Sequence, residues 1–194
     1  MLQLVKYSFY ELEIKRSLFL AEGFPVRSAS EAREIIKAQR AKYKDARHVV
    51  HAFSIGKNAE VLGSSDDGEP AGTAGAPALK VIQGMQVTNA LVTITRWFGG
   101  ILLGTGGLVK AYSESTRGLL DSASLEKIIE KTSLDFSLDY AEYNLIQNSF
   151  TEFGFEVENT DFGTMVIIKG KLPEKKLKSF ALFIKNATNG RVDL

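Results

Sequence analysis

The sequence predicts an α+β protein built as two domains. Three observations carry that reading. Amphipathic helical stretches alternate with short apolar strands along all 194 residues. No apolar run approaches the ~20 residues that a membrane-spanning helix needs. The strand–helix pattern also restarts after a short polar break, Asp121-Ser122-Ala123-Ser124. The expected domains are 1–122 and 131–194, with 123–130 as a linker.

The elements follow in order. Phe19 to Val26 reads as a strand end and turn. Ser28 then starts a helix: its hydroxyl can accept from the third helical amide while Glu31 reaches back. Ala32, Ile35, Ile36, Gln39 and Tyr43 recur at helical spacing, and all but Gln39 suit a core. His48 to Ile55 is a strand with a hairpin partner at Glu60 to Ser64, turned in part by Lys57-Asn58. Pro77 fits the first turn of a helix, where its missing amide costs nothing; Leu79, Ile82 and Met85 face inward from it. Asn89 to Trp97 is a buried strand. Gly106-Gly107 leads into a helix with Leu108, Ala111, Tyr112, Ser115 and Leu119 on one face.

Beyond the break, Ser133 to Asp139 alternates as a strand. Asp139 and Glu142 form a second capping box, and Tyr143, Ile146, Phe150 and Phe153 make a helical stripe that Gly154 can end in a left-handed conformation. Phe155 to Asn159 and Thr164 to Lys169 read as a hairpin across Asp161-Phe162-Gly163. Pro173 opens a further helix carrying Leu177, Phe180, Ala181 and Ile184, stopped by Asn189-Gly190. Arg191 to Leu194 completes a ferredoxin-like βαββαβ order.

Composition narrows the chemistry. Cysteine is absent, which excludes disulfides, thiolate metal sites and cysteine catalysis. The opening residues do not read as a signal peptide, so the cytoplasm is the expected compartment. The net charge of +1 argues against coating nucleic acid by bulk charge. Basic residues nevertheless gather in two places, Arg33 to Arg47 and Lys169 to Lys185; solvated helix faces and a phosphate-tracking patch are the two readings.

Glycine is the most informative residue. Of 17 glycines, ten lie between Gly63 and Gly107. Such density marks special backbone shapes or close approach by another molecule. The first glycine-rich loop, Ser64 to Pro77, holds Asp66, Asp67 and Glu69. Turn chemistry, a polar recognition surface with Thr73, and a Mg²⁺ site are its three readings. The second loop, Thr95 to Tyr112, follows a strand and opens a helix. Free amides at a helix start favour anions, and Gly99, Gly100, Gly104, Thr105, Gly106 and Gly107 let a phosphate or carboxylate approach, with tight packing as the other reading of the glycines; Arg96 and Lys110 add charge. Neither a Walker A loop nor a dinucleotide fingerprint fits its spacing. His48 and His51 point to opposite faces of their strand, which disfavours a shared metal; His48 is the candidate proton carrier near the acidic loop.

Together these motifs resemble the IMPACT/YigZ family. The matching residues are Lys15, Arg16, Ser17, Phe19, Ala21, Pro25 and Val26. They continue with Ser65-Asp66-Asp67-Gly68-Glu69-Pro70, Gly72-Thr73-Ala74-Gly75 and Pro77. Thr95-Arg96, Phe98-Gly99-Gly100, Leu103-Gly104, Gly106-Gly107-Leu108 and Ala111-Tyr112 complete the set. Departures are Val49-Val50-His51, Ala71, Leu102 and Lys110, where the family commonly has Asn-Cys-aromatic, Ser, Lys and Arg. The resemblance implies an N-terminal α/β sandwich like domain IV of elongation factor G and a C-terminal ferredoxin-like domain like its domain V. It also implies a link to translation, since eukaryotic relatives control initiation through a kinase-activating partner. The bacterial two-domain layout seen here does not carry that partner over.

Three functions follow as expectations. The first is a regulatory binding protein contacting RNA, the ribosome or a translation factor, with the glycine cradle on phosphates, the acidic loop beside it, and Arg96, Lys110, Lys42 and Arg47 holding position. The second is a Mg²⁺-assisted hydrolase or transferase using Asp66, Asp67, Glu69 and His48. The third is a protein-interaction scaffold. No cofactor is expected under the first or third.

Overall fold

A computed structural model describes residues 1–194. The chain divides into two units, Met1–Ile128 and Ile129–Leu194. In the first unit, strands β1 (Leu2–Leu4), β2 (Ser8–Ile14) and β3 (Ser17–Pro25) precede helix α1 (Ala29–Lys42). Then come β4 (His48–Ile55), β5 (Val61–Ser65), α2 (Gly75–Gly84), β6 (Val87–Thr88), β7 (Ala90–Trp97), α3 (Gly104–Ser122) and β8 (Leu125–Lys127).

The main sheet runs β2-β3-β7-β4-β5 with every neighbour antiparallel. Its residues alternate between two faces. Ala21, Val50, Ala52, Val92 and Ile94 pack with Ala78 and Ile82 of α2 and with Leu108, Ala111 and Leu119 of α3. Leu91 and Phe53 point the other way, toward Ala32, Ile35 and Ile36 of α1. The sheet is thus covered on both faces.

Local chemistry explains the helix starts. Ser28 Oγ accepts from the Glu31 amide at 3.2 Å, while the Glu31 carboxylate reaches one residue further back than expected and takes the Arg27 amide at 2.8 Å. Gln39, set aside above as the misfit in its stripe, is buried and donates to the buried Glu22 at 3.0 Å. Its amide thereby satisfies a carboxylate that burial would otherwise strand.

Two features differ from the sequence expectation in this unit. The β2–β3 hairpin turns through Lys15 and Arg16, both at positive φ (48° and 66°). A two-residue turn of that handedness is normally written with Asn or Gly, so nothing in the residue types announces it. The expected linker 123–130 is not a free connection either. Leu125–Lys127 pairs antiparallel with β1, which pairs in parallel with β6, and the first unit runs on to Ile128. Leu125 packs onto the α2/α3-side core, which draws this stretch into the first unit.

The second unit contains β9 (Lys131–Leu138), α4 (Tyr140–Ile146), a 3₁₀ turn (Gln147–Ser149) and α5 (Phe150–Phe153). Strands β10 (Glu156–Phe162) and β11 (Val166–Pro173) follow, then a 3₁₀ turn (Glu174–Lys176) and α6 (Leu177–Ala187). The sheet order is β10-β11-β9, all antiparallel. Phe136, Phe150, Phe155 and Phe180 form its aromatic core. Asp139 and Glu142 make the reciprocal cap, and Gly154 ends α5 at φ 71°. Arg191 to Leu194 forms no strand. Thr188 Oγ1 accepts the Val192 amide at 3.1 Å, Arg191 turns to Glu142, and Val192 and Leu194 pack onto the core through their side chains. The ferredoxin-like arrangement is therefore short of its last strand. No helix in the protein is long and apolar enough to cross a membrane.

Candidate functional site

The two glycine-rich loops meet at one end of the main sheet. They enclose an open recess of about 430 Å³ on the side of the sheet covered by α2 and α3. Gly68, Glu69 and Pro70 come from the acidic loop, and Phe98 and Leu102–Thr105 from the second. Arg96 and His48, directly paired across β7 and β4, form the sheet-side wall with Arg47.

The acidic loop owes its shape to its own carboxylates. Asp66 accepts from the amides of Gly72, Ala74 and Gly75 at 2.8–3.0 Å. Burial pushes its pKa up, but those three amides outweigh it and hold the carboxyl below the usual range. The same bonds satisfy the otherwise uncapped start of α2. Asp67 accepts from the Val49 amide at 2.7 Å and pairs with Arg40 at 3.2 Å. Glu69 is buried, and one of its oxygens takes both Arg96 Nη1 and Tyr112 OH at 2.7 Å. Burial, followed by the Glu69 charge and hydrogen bond, drives the Tyr112 phenol far above its ordinary value. The Thr73 hydroxyl donates to the Pro70 carbonyl at 2.6 Å and is buried. The three carboxylates thus turn toward separate donors, and no cluster of three or more Asp, Glu, His or Cys side chains forms.

The second loop presents a different surface. α3 starts at Gly104 with no side-chain cap, and Gly104 stands at φ +74°. Gly104 and Thr105 line the recess. Gly99 is there for packing, since a Cβ would sit 2.0 Å from the Arg16 carbonyl carbon. Gly100 has φ +86°. Gly107 lies close against Leu103. Gly106 has neither a positive φ nor any atom near the position of an added Cβ. A glycine in the first turn of a helix with no steric reason leaves backbone amides unshielded.

Charge on the recess is mainly positive. Arg96 is 7% exposed, and its guanidinium lies 5.5 Å from the Phe19 ring and 5.6 Å from the Phe98 ring. Its Nε is buried and finds no acceptor in the protein. His48 Nδ1 donates to the Asp67 carbonyl at 2.8 Å, a bond that fixes the tautomer and leaves Nε2 available. Phe98 and Leu102 line the recess and stand exposed at its mouth.

Of the residues singled out from sequence, Arg96, Glu69, His48, Arg47, Gly104 and Thr105 come together here. Lys110 does not line the recess; it points to solvent and pairs with Glu114 at 3.8 Å. Lys42 is the last residue of α1, on the opposite face of the sheet, and its ammonium lies 3.2 Å from Glu22, whose other partners are Tyr7 and Gln39. Burial and the Glu22 bond raise the Tyr7 phenol to about 12. Sequence reasoning missed Phe98 and Leu102 as rim residues and Tyr112 as the clamp on Glu69. An apolar pair inside a glycine-rich loop was the available signal for the rim. Tyr112 gave none, because its helical spacing already made it a core residue.

Comparison with known proteins identifies the family of the chain. A family model described as the Impact N-terminal domain matches residues 15–120, and one described as a domain of unknown function, DUF1949, matches residues 136–191. The IMPACT family member YvyE of Bacillus subtilis is 32% identical over 95% of this chain and 85% of its own. The IMPACT family member YigZ of Escherichia coli is 32% identical over 94% and 90%. A crystal structure of a hypothetical protein superposes with a TM-score of 0.66 at 31% identity, covering 98% of this chain and 93% of that one. These matches span both units and include both loops that build the recess, and the chain belongs to the IMPACT family.

Proposed function

We propose that this protein is a regulatory binding protein of translation that takes a single-stranded RNA segment into the recess. A backbone phosphate sits on the uncapped start of α3, between Gly104–Gly106 and the cations Arg47 and Arg96. An adjacent base rests on Phe98. The link to translation comes from the family resemblance; the RNA chemistry comes from the site. One observation carries the reading: an uncapped helix start, an arginine with a buried N–H that has no acceptor, and an aromatic rim belong to residues that line one open recess. Helix-start amides and arginine suit phosphate, and an exposed ring suits a base. The catalytic alternative finds less support, because Asp66, Asp67 and Glu69 are each engaged by a different set of protein donors.

Fluorescence anisotropy with a labelled oligouridylate tests the proposal. Log affinity should fall by ~0.7 per phosphate contact per log unit of salt. Phe98→Ala should weaken binding by about 1–3 kcal/mol through lost stacking. Gly106→Ala should also weaken it while raising stability by roughly 0.5–1 kcal/mol, since the helix gains a better residue and meets no clash. Salt-independent affinity, or full binding by both variants, refutes the assignment.

A further inference from the structure

A second concavity lies on the other face of the same sheet and shares none of the recess residues. It is an open groove of about 600 Å³ beneath the solvent side of α1. Its floor is Ile36, Ala41, His51 and Phe53, and Phe53 lies flat on Gly63 of the neighbouring β5, where an added Cβ would fall 2.3 Å from the ring. Its wall carries four cations, Arg33, Lys37, Arg40 and Lys44. The first three recur at helical i, i+4 and i+7 positions and so share one face. Arg40 is paired with Asp67, whereas Arg33, Lys37 and Lys44 are exposed and have no acidic partner.

Next to Phe53 at the groove lies the edge strand of the sheet, paired through Gly63. β5 has no strand on its outer side. Native edges are usually blunted by charge, proline or a bulge. β2, at the far edge, follows that rule with Glu11 and Glu13. β5, Val61-Leu62-Gly63-Ser64-Ser65, carries none of the three and pairs with β4 in unbroken register. Val61 shares the face of Phe53 and His51 and is exposed.

We propose that this groove docks an extended acidic segment of a protein partner, which pairs with the free edge of β5. Alternate side chains of such a segment would fall on the α1 side. There, apolar ones meet Val61 and Phe53, and acidic ones meet Arg33, Lys37 and Lys44. Charge complementarity decides the sign of the occupant, and the free edge decides its backbone. A nucleic acid uses the cations but leaves both the unpaired strand and the apolar floor without a partner.

The test uses the full chain and a fluorescein-labelled twelve-residue peptide in which Glu and Asp alternate with Leu and Val. Anisotropy should show saturable binding. It should weaken at least tenfold for Arg33→Glu with Lys37→Glu, and similarly for Val61→Glu, all exposed positions whose replacement leaves the circular dichroism spectrum unchanged. Amides of β5 should gain protection from hydrogen exchange when the peptide binds. Phe98→Ala should leave the affinity unaltered, which separates this surface from the recess. Four results would overturn the proposal: no binding, equal binding of a peptide with Lys in place of the acids, no new protection in β5, or displacement of the peptide by oligouridylate. The last would assign the groove to nucleic acid.

Discussion

Replacing Glu69 by glutamine removes one charge from a site built around a pair. Glu69 and Arg96 meet at 2.7 Å with side chains 3% and 8% exposed, and Tyr112 donates to the same carboxylate oxygen. Glu69→Gln keeps the shape but leaves a buried guanidinium without its counter-charge. Breaking a buried pair from one side costs about 3–5 kcal/mol. Arg96 borders the recess, where water can reach part of it, so the expected loss is about 3 kcal/mol, at the lower end of that range. With a urea m-value of about 2 kcal/mol/M, the unfolding midpoint drops by roughly 1.5 M. The single tryptophan, Trp97, adjoins Arg96 in β7 and reports this unit's unfolding by fluorescence. The double variant Glu69→Leu with Arg96→Met removes both charges and should recover part of the loss, because only the neutral Tyr112 hydroxyl is then left without its acceptor. A loss under about 1 kcal/mol for Glu69→Gln, or a double variant no better than the single, would refute the account.

Two further expectations follow from neighbouring residues. Asp66→Ala strips the acceptor from three amides and the cap from α2; a loss of about 1–2 kcal/mol should come with faster hydrogen exchange at Gly72, Ala74 and Gly75. Unchanged exchange there would remove Asp66 from its role as the loop's anchor. Burial lowers the His51 pKa despite the opposing charge of Asp67. Below the ordinary imidazole value near ~6.5 the unfolded chain therefore binds a proton that the folded one resists. Stability should fall on acidification through that window by up to about 1.4 kcal/mol per pH unit, and His51→Gln should flatten the slope. A slope identical in both proteins would exclude His51 as its source.

The parts of the fold legible in the sequence are those set by neighbours along the chain. Ser28, Asp139 and Gly154 mark helix ends because each acts within a few residues of itself. The β2–β3 turn escaped because Lys15 and Arg16 are held in a left-handed shape by the strands on either side, not by their own preference. The convergence of the two glycine-rich loops was stated from sequence, but the use of the acids was not. Glu69 looks like a turn residue until Arg96 and Tyr112, 27 and 43 positions away, are brought to it. Gln39 looked out of place for the same reason, since Glu22 lies on a strand 17 positions earlier. Long-range pairing of polar groups leaves no periodic trace.

The small sheet of β1, β6 and β8 has a practical consequence for anyone handling this protein. Ladder bonds run from the Val5 amide to Ser124 and from the Ile128 amide to Met1, so the opening residues clasp the passage toward the second unit. Trimming Leu2–Leu4 would free residues 124–128, and five extended residues add roughly 17 Å of slack. A deletion at the amino end therefore doubles as a change of tether length between the two halves.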